Sequence, residues 1–203
     1  MERLRQITGF FVGDGFWLDG KATFSNTNED LIRYYEKIIT ELRFKTSLYR
    51  RKKKGNRKDE FTLVAEKRFT EPLIHDLQNM WVGLDKEKSK AFLRGFFDAE
   101  GNIDFSAINR GRQVRFFNTD ADLIRLTSAC LKILNIKHKI GIQKGHRPNR
   151  QRCFNVRMFG SSSIGFIKNV KPQKIQSGNY LKGKVHPKYF HIFENEAPVT
   201  QFG

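Results

Sequence analysis

A nine-residue apolar segment that contains glycines and ends in an acid and a glycine occurs twice in the chain. ITGFFVGDG occupies residues 7–15, and LRGFFDAEG occupies residues 93–101. Other matched segments follow both copies in the same order: FSNTNEDLI at 24–32 with FFNTDADLI at 116–124, and KGNR at 54–57 with KGHR at 144–147. Because an internal repeat determines the architecture before any local pattern does, the sequence predicts two homologous halves.

Each half shows the same order of secondary-structure signals. The glycine segment has the apolar periodicity of a short helix, and the Asp19-Gly20 pair that follows it is typical of a two-residue hairpin turn. Thr27 and Thr119, each three residues before an aspartate, predict the starts of amphipathic helices. A second hairpin and a last helix complete each half. The sequence therefore predicts an α+β fold of two αββαββα halves related by a pseudo-twofold axis, with domains at residues 1–84 and 85–170 and a C-terminal tail at residues 171–203.

Small residues in the repeated segment predict close packing of the two motif helices. Small side chains four residues apart lie on one helix face and let two backbones approach each other; the pairs are Gly9 with Gly13 and Gly95 with Ala99. The glycines that end the segments, Gly15 and Gly101, are expected in the left-handed conformation that stops a helix. We therefore expect the two segments to pack against each other between the halves.

The acids before these final glycines stand at an unfavourable place in a helix. Asp14 and Glu100 would lie in the last helical turn, where the negative end of the helix dipole disfavours a carboxylate by about 0.3–1 kcal/mol. If the helices pack about a pseudo-twofold axis, both carboxylates emerge side by side at one end. Two like charges in such a position favour a divalent cation that neutralises them.

The chain has a formal net charge of +17, from 38 basic and 21 acidic residues. Such an excess favours binding to a polyanion, of which nucleic acid is the commonest, and a basic membrane-binding face is the alternative. No apolar run approaches the roughly 20 residues of a membrane span, and no secretory signal is recognisable at the start. We therefore expect no membrane partner and an intracellular location, in the cytoplasm or nucleoid of a prokaryote or in an organelle matrix.

The paired motif, apolar-x-Gly-apolar-apolar-x-small-acid-Gly at the head of each half, resembles that of the LAGLIDADG homing endonucleases in the form in which one chain carries both copies. Its Asp/Glu combination is similar to that of monomeric archaeal intron-encoded members. The resemblance covers about residues 1–170 and implies that the motif helices form the interface between halves and that the sheets form a saddle over the DNA major groove. It implies a site-specific double-strand DNA endonuclease that cuts across the minor groove and leaves 3′ overhangs.

The same resemblance implies a divalent-metal site at the ends of the motif helices. Asp14 and Glu100 would bind Mg²⁺ together with the backbone carbonyls of Gly13 and Ala99. Mn²⁺ would substitute, and Ca²⁺ would bind without supporting cleavage. The sixth motif position departs from the pattern, because the first copy has Val12 where the second has Asp98, which we expect to be a structural acid. Further candidate catalytic residues are two strand-end amides and two lysines: Asn26, Asn118, Lys86 and Lys174.

Basic and polar side chains of the hairpins are the candidate DNA contacts. Those around the turns are Arg51, Lys54, Arg57, Arg110, Arg112, Lys144, Arg147, Arg150 and Arg152, and the tips are expected to contact phosphates. Candidates for reading bases are Lys21, Thr23, Arg50, Lys52, Gln113, Arg115, Arg152 and Arg157. The sequence leaves the face of each side chain open, because a one-residue shift in register inverts the set. The duplicated halves predict a long pseudo-palindromic double-stranded target bound by a monomer.

Two alternatives from other classes of protein stay open. An RNA maturase could use the same basic sheets, and its function would survive Asp14→Ala and Glu100→Ala. A transcription regulator without nuclease activity usually carries an additional DNA-binding domain on this scaffold. We do not expect one here, because the segment after Val170 is short and poor in motifs.

Overall fold

The computed structural model describes residues 2–55, 57–104, 113–143 and 152–176. Within these ranges the first half contains α1 (Glu2–Asp14), β1 (Gly15–Leu18), β2 (Lys21–Asn26), α2 (Glu29–Glu41), β3 (Thr46–Arg51), β4 (Glu60–Ala65), a short 3₁₀ turn (Lys67–Phe69) and α3 (Thr70–Gln78). The second half contains α4 (Lys86–Glu100), β5 (Gly101–Asp104), β6 (Gln113–Asn118), α5 (Ala121–Ile133), β7 (Lys139–Gln143), β8 (Cys153–Phe159) and α6 (Ser161–Val170), and α7 (Gln173–Gln176) follows. The predicted α+β fold with two αββαββα halves is confirmed. Among the described helices, none is long and apolar enough to cross a membrane.

Each half contains one four-stranded antiparallel sheet. The strand orders are β1-β2-β4-β3 and β5-β6-β8-β7, so the second sheet repeats the arrangement of the first. The registers correspond as well, because Thr23 pairs with Val64 and Arg115 pairs with Arg157 at the same place in their sheets. The tight turn between β1 and β2 is the one predicted, since Asp19 and Gly20 both have positive φ, at 49° and 70°.

The motif helices α1 and α4 pack directly on each other, and their glycines make this possible. A Cβ atom built on Gly9 would lie 2.9 Å from the backbone nitrogen of Phe96, and one built on Gly95 would lie 2.7 Å from that of Phe10. Real Cβ atoms essentially never approach this closely, so any side chain at either position would force the backbones apart. The predicted contact between the two segments is confirmed.

The glycines at the ends of the motif helices are required for a different reason from the one predicted. Gly101 follows α4 with φ −74° and ψ 147°, which is extended backbone. The φ angle of Gly15 is not positive either. The prediction of left-handed glycines is therefore wrong. A Cβ atom on Gly15 would overlap the ring of Phe11, and one on Gly101 would overlap the ring of Phe97. These positions are glycine because a buried aromatic ring occupies the space.

The caps of α2 and α5 lie one residue after the threonines that the sequence pattern indicated. Asn28 caps α2 through its side chain, which accepts a hydrogen bond from the backbone N–H of Leu31. Asp120 caps α5 and accepts from Asp122 and Leu123. Asn and Asp are stronger N-caps than threonine, so Thr27 and Thr119 stand outside the helices.

Each half has its own apolar core, to which its motif helix contributes stacked aromatic rings. In the first half the ring of Phe10 lies 3.9 Å from that of Tyr35, centroid to centroid. In the second half the ring of Phe96 stacks at 5.5 Å on that of Phe116. Because one face of each motif helix is fixed in its own core while the glycine face meets the other helix, the end of each helix is held rigidly.

Candidate active site and nucleic-acid interface

Asp14 and Glu100 are the last residues of α1 and α4, and the packing of these helices brings them together. A Cβ atom on Gly13 would lie 2.9 Å from Cγ of Glu100, so the two motif ends are in contact. Burial raises the pKa of the Asp14 carboxyl. Burial also raises the pKa of the Glu100 carboxyl, and the Asp14 charge raises it further. The two carboxylates therefore lie close enough to repel each other in a partly desolvated position.

Only one of the two predicted strand-end amides contacts its acid in this structure. The side-chain N–H of Asn26 donates to Oδ2 of Asp14 at 2.6 Å, and its Oδ1 accepts from the backbone N–H of Asn28 at 2.9 Å. Asn118 uses its Oδ1 in the same way, accepting from the backbone of Asp120 at 2.8 Å. Within the described residues the side chain of Asn118 makes no hydrogen bond to Glu100. Asn26 thus fixes the orientation of the Asp14 carboxylate.

This difference predicts unequal effects of two matched substitutions. We expect Asn26→Ala to lower the rate of metal-dependent cleavage by about 10- to 100-fold, because hydrogen-bond partners of metal-binding groups typically contribute that much. Asn118→Ala removes the same capping contact from the second half and should lower the rate less than about 3-fold on this reasoning. Single-turnover rates at saturating protein measure both. Equal losses would contradict the assignment of Asn26 to the Asp14 carboxylate.

Lys174 reaches the same place from α7. Its Nζ donates to the carbonyl oxygen of Gly101 at 3.0 Å and to that of Ala99 at 3.5 Å. Its positive charge lowers the pKa values of Asp14 and Glu100 against the larger effect of burial. Lys174 therefore lies beside Asp14 and Glu100.

The position of Lys174 depends on Asp98, the acid at the sixth motif position. Asp98 is fully buried. One of its oxygens accepts from the backbone N–H of Lys174 at 2.8 Å, and the other accepts from the hydroxyl of Tyr35 at 2.9 Å. Burial raises the pKa of Asp98 to about 7. The residue links α2 of the first half, α4 of the second half and α7, which agrees with the expected structural role.

Lys86 lies away from the acid pair. It is the first residue of α4, whereas Glu100 is the last residue of the same 15-residue helix. At 1.5 Å per residue this separation is about 20 Å. The structure thus places the two candidate lysines at opposite ends of the motif helix, and Lys86 is not positioned to act on a group bound at Asp14 and Glu100.

The donors at the helix ends fit a hard divalent cation. Carboxylate and backbone carbonyl oxygens are the ligands that Mg²⁺ and Ca²⁺ prefer, and a cation would remove the repulsion between two partly buried carboxylates. No group of three or more His, Cys, Asp or Glu residues that could hold a metal occurs within the described ranges. The two carboxylates would therefore need further oxygen ligands, such as water, a carbonyl of Gly13 or Ala99, or a phosphate.

The raised carboxyl pKa values predict that the acid pair destabilises the fold near neutral pH. A carboxyl with a higher pKa in the folded than in the unfolded state binds protons more tightly when folded, so stability falls as the pH rises through the folded pKa. We expect Asp14→Asn to increase the free energy of unfolding by about 0.5–2 kcal/mol at pH 7 in EDTA. The gain should disappear as the pH falls below the unfolded pKa of aspartate, about 3.9, because Asp14 is then protonated in both the folded and the unfolded state.

Calorimetric melting at a series of pH values measures this gain. Asp19→Asn, which changes an exposed acid five positions away, is the matched control and should leave the melting temperature within about 1 °C. A lower melting temperature for Asp14→Asn at pH 7 would show that the carboxylate makes a stabilising contact instead.

The registers of the sheets assign every described strand residue to one of two faces, since paired residues share a face and successive residues alternate. We call the face opposite the buried core residues the open face. In the first sheet it consists of Phe16, Leu18, Lys21, Thr23, Ser25, Ser47, Tyr49, Arg51, Glu60, Thr62 and Val64. In the second sheet it consists of Asn102, Asp104, Gln113, Arg115, Phe117, Lys139, Gly141, Gln143, Cys153, Asn155, Arg157 and Phe159.

Several predicted DNA contacts lie on these open faces or beside them. Lys21 and Arg51 are exposed on the first open face, and Gln113, Arg115 and Arg157 lie on the second. Exposed residues in the segments next to the strands are Lys52, Lys54, Arg57 and Arg152. Outside the described residues lie Arg110, Arg112, Lys144, Arg147 and Arg150.

Three predicted base-reading residues do not fit that role. Arg50 pairs across the sheet with Phe61, whose ring it covers at 5.8 Å, and so belongs to the helix-facing side. Its guanidinium is also bound to Asp59 at 2.7 Å. Thr23 and Gln113 lie on the open faces but are buried among their neighbours. The correction for Arg50 follows from register, because moving one position along β3, from Arg50 to Arg51, changes the face.

Open-face residues that the sequence reasoning missed include Asn155 and Gly141. They are paired with each other across β7 and β8. The alignment of the two halves was the available signal, since FTLVAEKRF from residue 61 corresponds to FNVRMFGSS from residue 154. In that correspondence Asn155 is equivalent to Thr62 of the first half, and Arg157 is equivalent to Val64.

Comparisons with known proteins agree with this architecture. Residues 87–167 match the family model of a LAGLIDADG-like domain. The structure is similar to mesophilic variants of the homing endonuclease I-DmoI, with a TM-score of 0.60 and 18% sequence identity over 83% of this chain and 94% of that chain. A complex of I-DmoI with DNA and Ca gives the same TM-score and identity, over 83% of this chain and 88% of that one.

The fold is also similar to a protein that is not described as an endonuclease. Full-length WhiA from Thermatoga maritima has a TM-score of 0.62 and 15% identity over 97% of this chain and 66% of that chain. The comparison with curated proteins finds no match. The fold by itself therefore does not establish an activity, but the family resemblance of the paired motifs is confirmed. Residues 87–167 therefore resemble a LAGLIDADG-like domain, and the fold of the two halves matches the two-domain fold of I-DmoI.

Proposed function

We propose that this protein is a divalent-metal-dependent endonuclease that cuts both strands of a specific DNA site. The observation that carries the proposal is the meeting of Asp14 and Glu100 at the packed ends of α1 and α4, where burial raises the pKa of both carboxyls and the Asp14 charge raises that of Glu100 further. Such an arrangement is unfavourable for stability, and a purely structural contact between the halves would not require it. A cation-binding role accounts for both acids.

The chemistry is phosphodiester hydrolysis. Bound Mg²⁺ or Mn²⁺ would activate a water molecule and stabilise the leaving 3′ oxygen, so no protein nucleophile is needed. Asp14 and Glu100 would hold the cation, and Asn26 keeps the Asp14 carboxylate in one orientation. Lys174 places a positive charge beside the acid pair, where it could balance negative charge on the phosphate. Ca²⁺ is expected to support binding without cleavage.

The substrate in this proposal is a long duplex that contacts both halves of a monomer. Support comes from the net charge of +17 and from the complexes of the structurally similar I-DmoI with DNA, Ca and Mn. The two open faces would lie over the major groove, with the acid pair at the intervening minor groove and 3′ overhangs as the product. We place the protein inside the cell, in a cytoplasm, nucleoid or organelle matrix where DNA is accessible.

A selection from random DNA tests the proposal without knowledge of the target. Duplexes with about 30 randomised base pairs would be bound in Ca²⁺, recovered by filter binding and amplified over several rounds. The enriched duplexes would then be exposed to Mg²⁺, and the cut ends sequenced. We expect a single consensus that is cut on both strands with a fixed 3′ overhang. If the reading frame lies within an intron, the joined flanking exons are a second candidate target.

The same experiment separates the proposal from a non-cutting regulator, which would yield a consensus that is bound in Ca²⁺ and stays intact in Mg²⁺. That result would overturn the endonuclease assignment while leaving the fold unchanged. A splicing assay tests the second alternative, since an RNA maturase would retain its splicing function in Asp14→Ala and Glu100→Ala variants.

A further inference from the structure

The two open faces carry different chemistry at equivalent positions. We infer that the target is not palindromic in base content: the second sheet reads guanine and adenine by hydrogen bonds, and the first sheet selects thymine by apolar contact. This inference rests on the proposed function, because it assumes that DNA lies against the open faces. It replaces the expected pseudo-palindrome with two half-sites of different composition.

The equivalence of positions follows from the registers of the two sheets. The central pair of the first open face is Thr23 with Val64, and the central pair of the second is Arg115 with Arg157. The next strand adds Phe16 beside Thr23 in the first sheet. The centre of the first face thus consists of a hydroxyl, an aliphatic and an aromatic side chain. The centre of the second face contains two guanidinium groups.

The remaining strands show the same contrast. Asn102, which pairs with Arg115, takes the place that Phe16 has in the first sheet. Asn155 of the second sheet is equivalent to Thr62 of the first. Asn155 pairs with Gly141, whereas Thr62 pairs with Tyr49. At these positions the first face has apolar or hydroxyl groups in place of the amides of the second, whereas Ser25 of the first face corresponds to Phe117 of the second.

The second open face presents hydrogen-bonding groups to solvent. The side chains of Asn102 and Gln143 are exposed, and those of Arg115 and Arg157 are partly exposed. Base edges in the major groove match these groups, since guanine O6 and N7 accept from arginine and the adenine N6 amino group donates to an amide oxygen.

Two features hold the guanidinium groups in place. Gly141 leaves room for Arg157, because a Cβ atom there would lie 2.7 Å from its Nη2. Arg115 donates through Nε to Oε1 of Gln113 at 3.0 Å and forms an ion pair with Asp104. Both side chains are thus oriented before DNA binds, which favours reading of a base edge over a loose contact with phosphate.

Apart from Lys21 and Arg51 at the ends of their strands, the first open face presents mainly apolar and hydroxyl side chains. Phe16 is 43% exposed, Leu18 is 47% exposed and Tyr49 is 59% exposed. The hydroxyls of Ser25 and Thr62 lie 2.9 Å apart and bond to each other. The group of a base edge that such a surface recognises is the C5 methyl of thymine.

The selection from random DNA provides the test, with Arg157→Ala and Gly141→Ala as variants. We expect one half-site of the wild-type consensus to contain guanine at fixed positions and the other to be rich in A·T pairs with thymine facing the protein. Arg157→Ala should lower discrimination at one guanine by about 5- to 150-fold, while affinity for duplexes that already lack this guanine changes little. Gly141→Ala should weaken the same preference although it removes no polar group.

Val64→Ala is the matched control, since it changes the equivalent position of the first sheet. It should leave the guanine preference intact and affect only the A·T-rich half-site. Two half-sites of equal base content would overturn the inference, as would a uniform loss of affinity for all duplexes in Arg157→Ala, which indicates a phosphate contact. The proposed function fails separately, if no bound duplex is cut in Mg²⁺.

Discussion

Glu100→Gln and Asp14→Asn are each expected to lower the rate of Mg²⁺-supported DNA cleavage by about 10³-fold or more. A metal ion contributes several kcal/mol to the stabilisation of the transition state, and each 1.36 kcal/mol corresponds to a factor of ten in rate. The substitutions keep the shape of the side chain and remove its charge. Affinity for the target duplex should persist, because the open faces and the basic hairpins are unchanged.

Cleavage of a radiolabelled or fluorescent target under single-turnover conditions measures the loss, and fluorescence anisotropy measures binding. Glu87→Gln is the matched control, since it removes an acid from the opposite end of α4, where Glu87 pairs with Lys90 on the surface. It should cleave at the wild-type rate. Retained cleavage in either active-site variant would exclude the acid pair as the metal site, and lost binding in both would show that the acids have more than a metal-binding role.

The second large effect concerns the contact between the halves. We expect Gly95→Ala to lower the free energy of unfolding by about 3 kcal/mol or more, at the upper end of overpacking substitutions. The added Cβ atom would overlap the carbonyl oxygen of Gln6 and lie 2.7 Å from the nitrogen of Phe10. Both are backbone atoms, so no side-chain movement relieves the overlap and the helices must separate.

Gly165→Ala provides the control for this change. Gly165 is also a glycine inside a helix, but a Cβ atom there would have no atom within 4 Å among its described surroundings. Alanine is preferred over glycine in helices by about 1 kcal/mol, so this variant should be as stable as the wild type or more so. Denaturant unfolding followed by circular dichroism compares the two. Similar stabilities for both variants would contradict the close packing of α1 and α4.

Local patterns in the sequence were sufficient for the repeated architecture. Small residues spaced four apart and a terminal acid, each present twice, predicted that Asp14 and Glu100 meet at the end of a helix pair. This succeeded because helix periodicity fixes which residues share a face whatever the surroundings. The αββαββα order followed in the same way from turn residues and apolar spacing.

Other features depend on contacts between residues far apart in the chain. The distinction between Arg50 and Arg51 needs the strand register, which side-chain alternation inverts with a shift of a single residue. The selection of Lys174 over Lys86 needs the hydrogen bond from its backbone to Asp98, across 76 residues of sequence. Gly15 and Gly101 are required by the rings of Phe11 and Phe97, and no turn pattern predicts such a requirement.

The sequence by itself determined that this protein has two related halves joined through small residues, with one acid from each half at the junction. The tertiary structure decided which lysine reaches those acids, which amide orients Asp14 and which strand residues lie on each open face. The physical reason is range: periodicity and capping act within a few residues, whereas register, burial and docking of the tail are set by packing between elements that are distant in sequence.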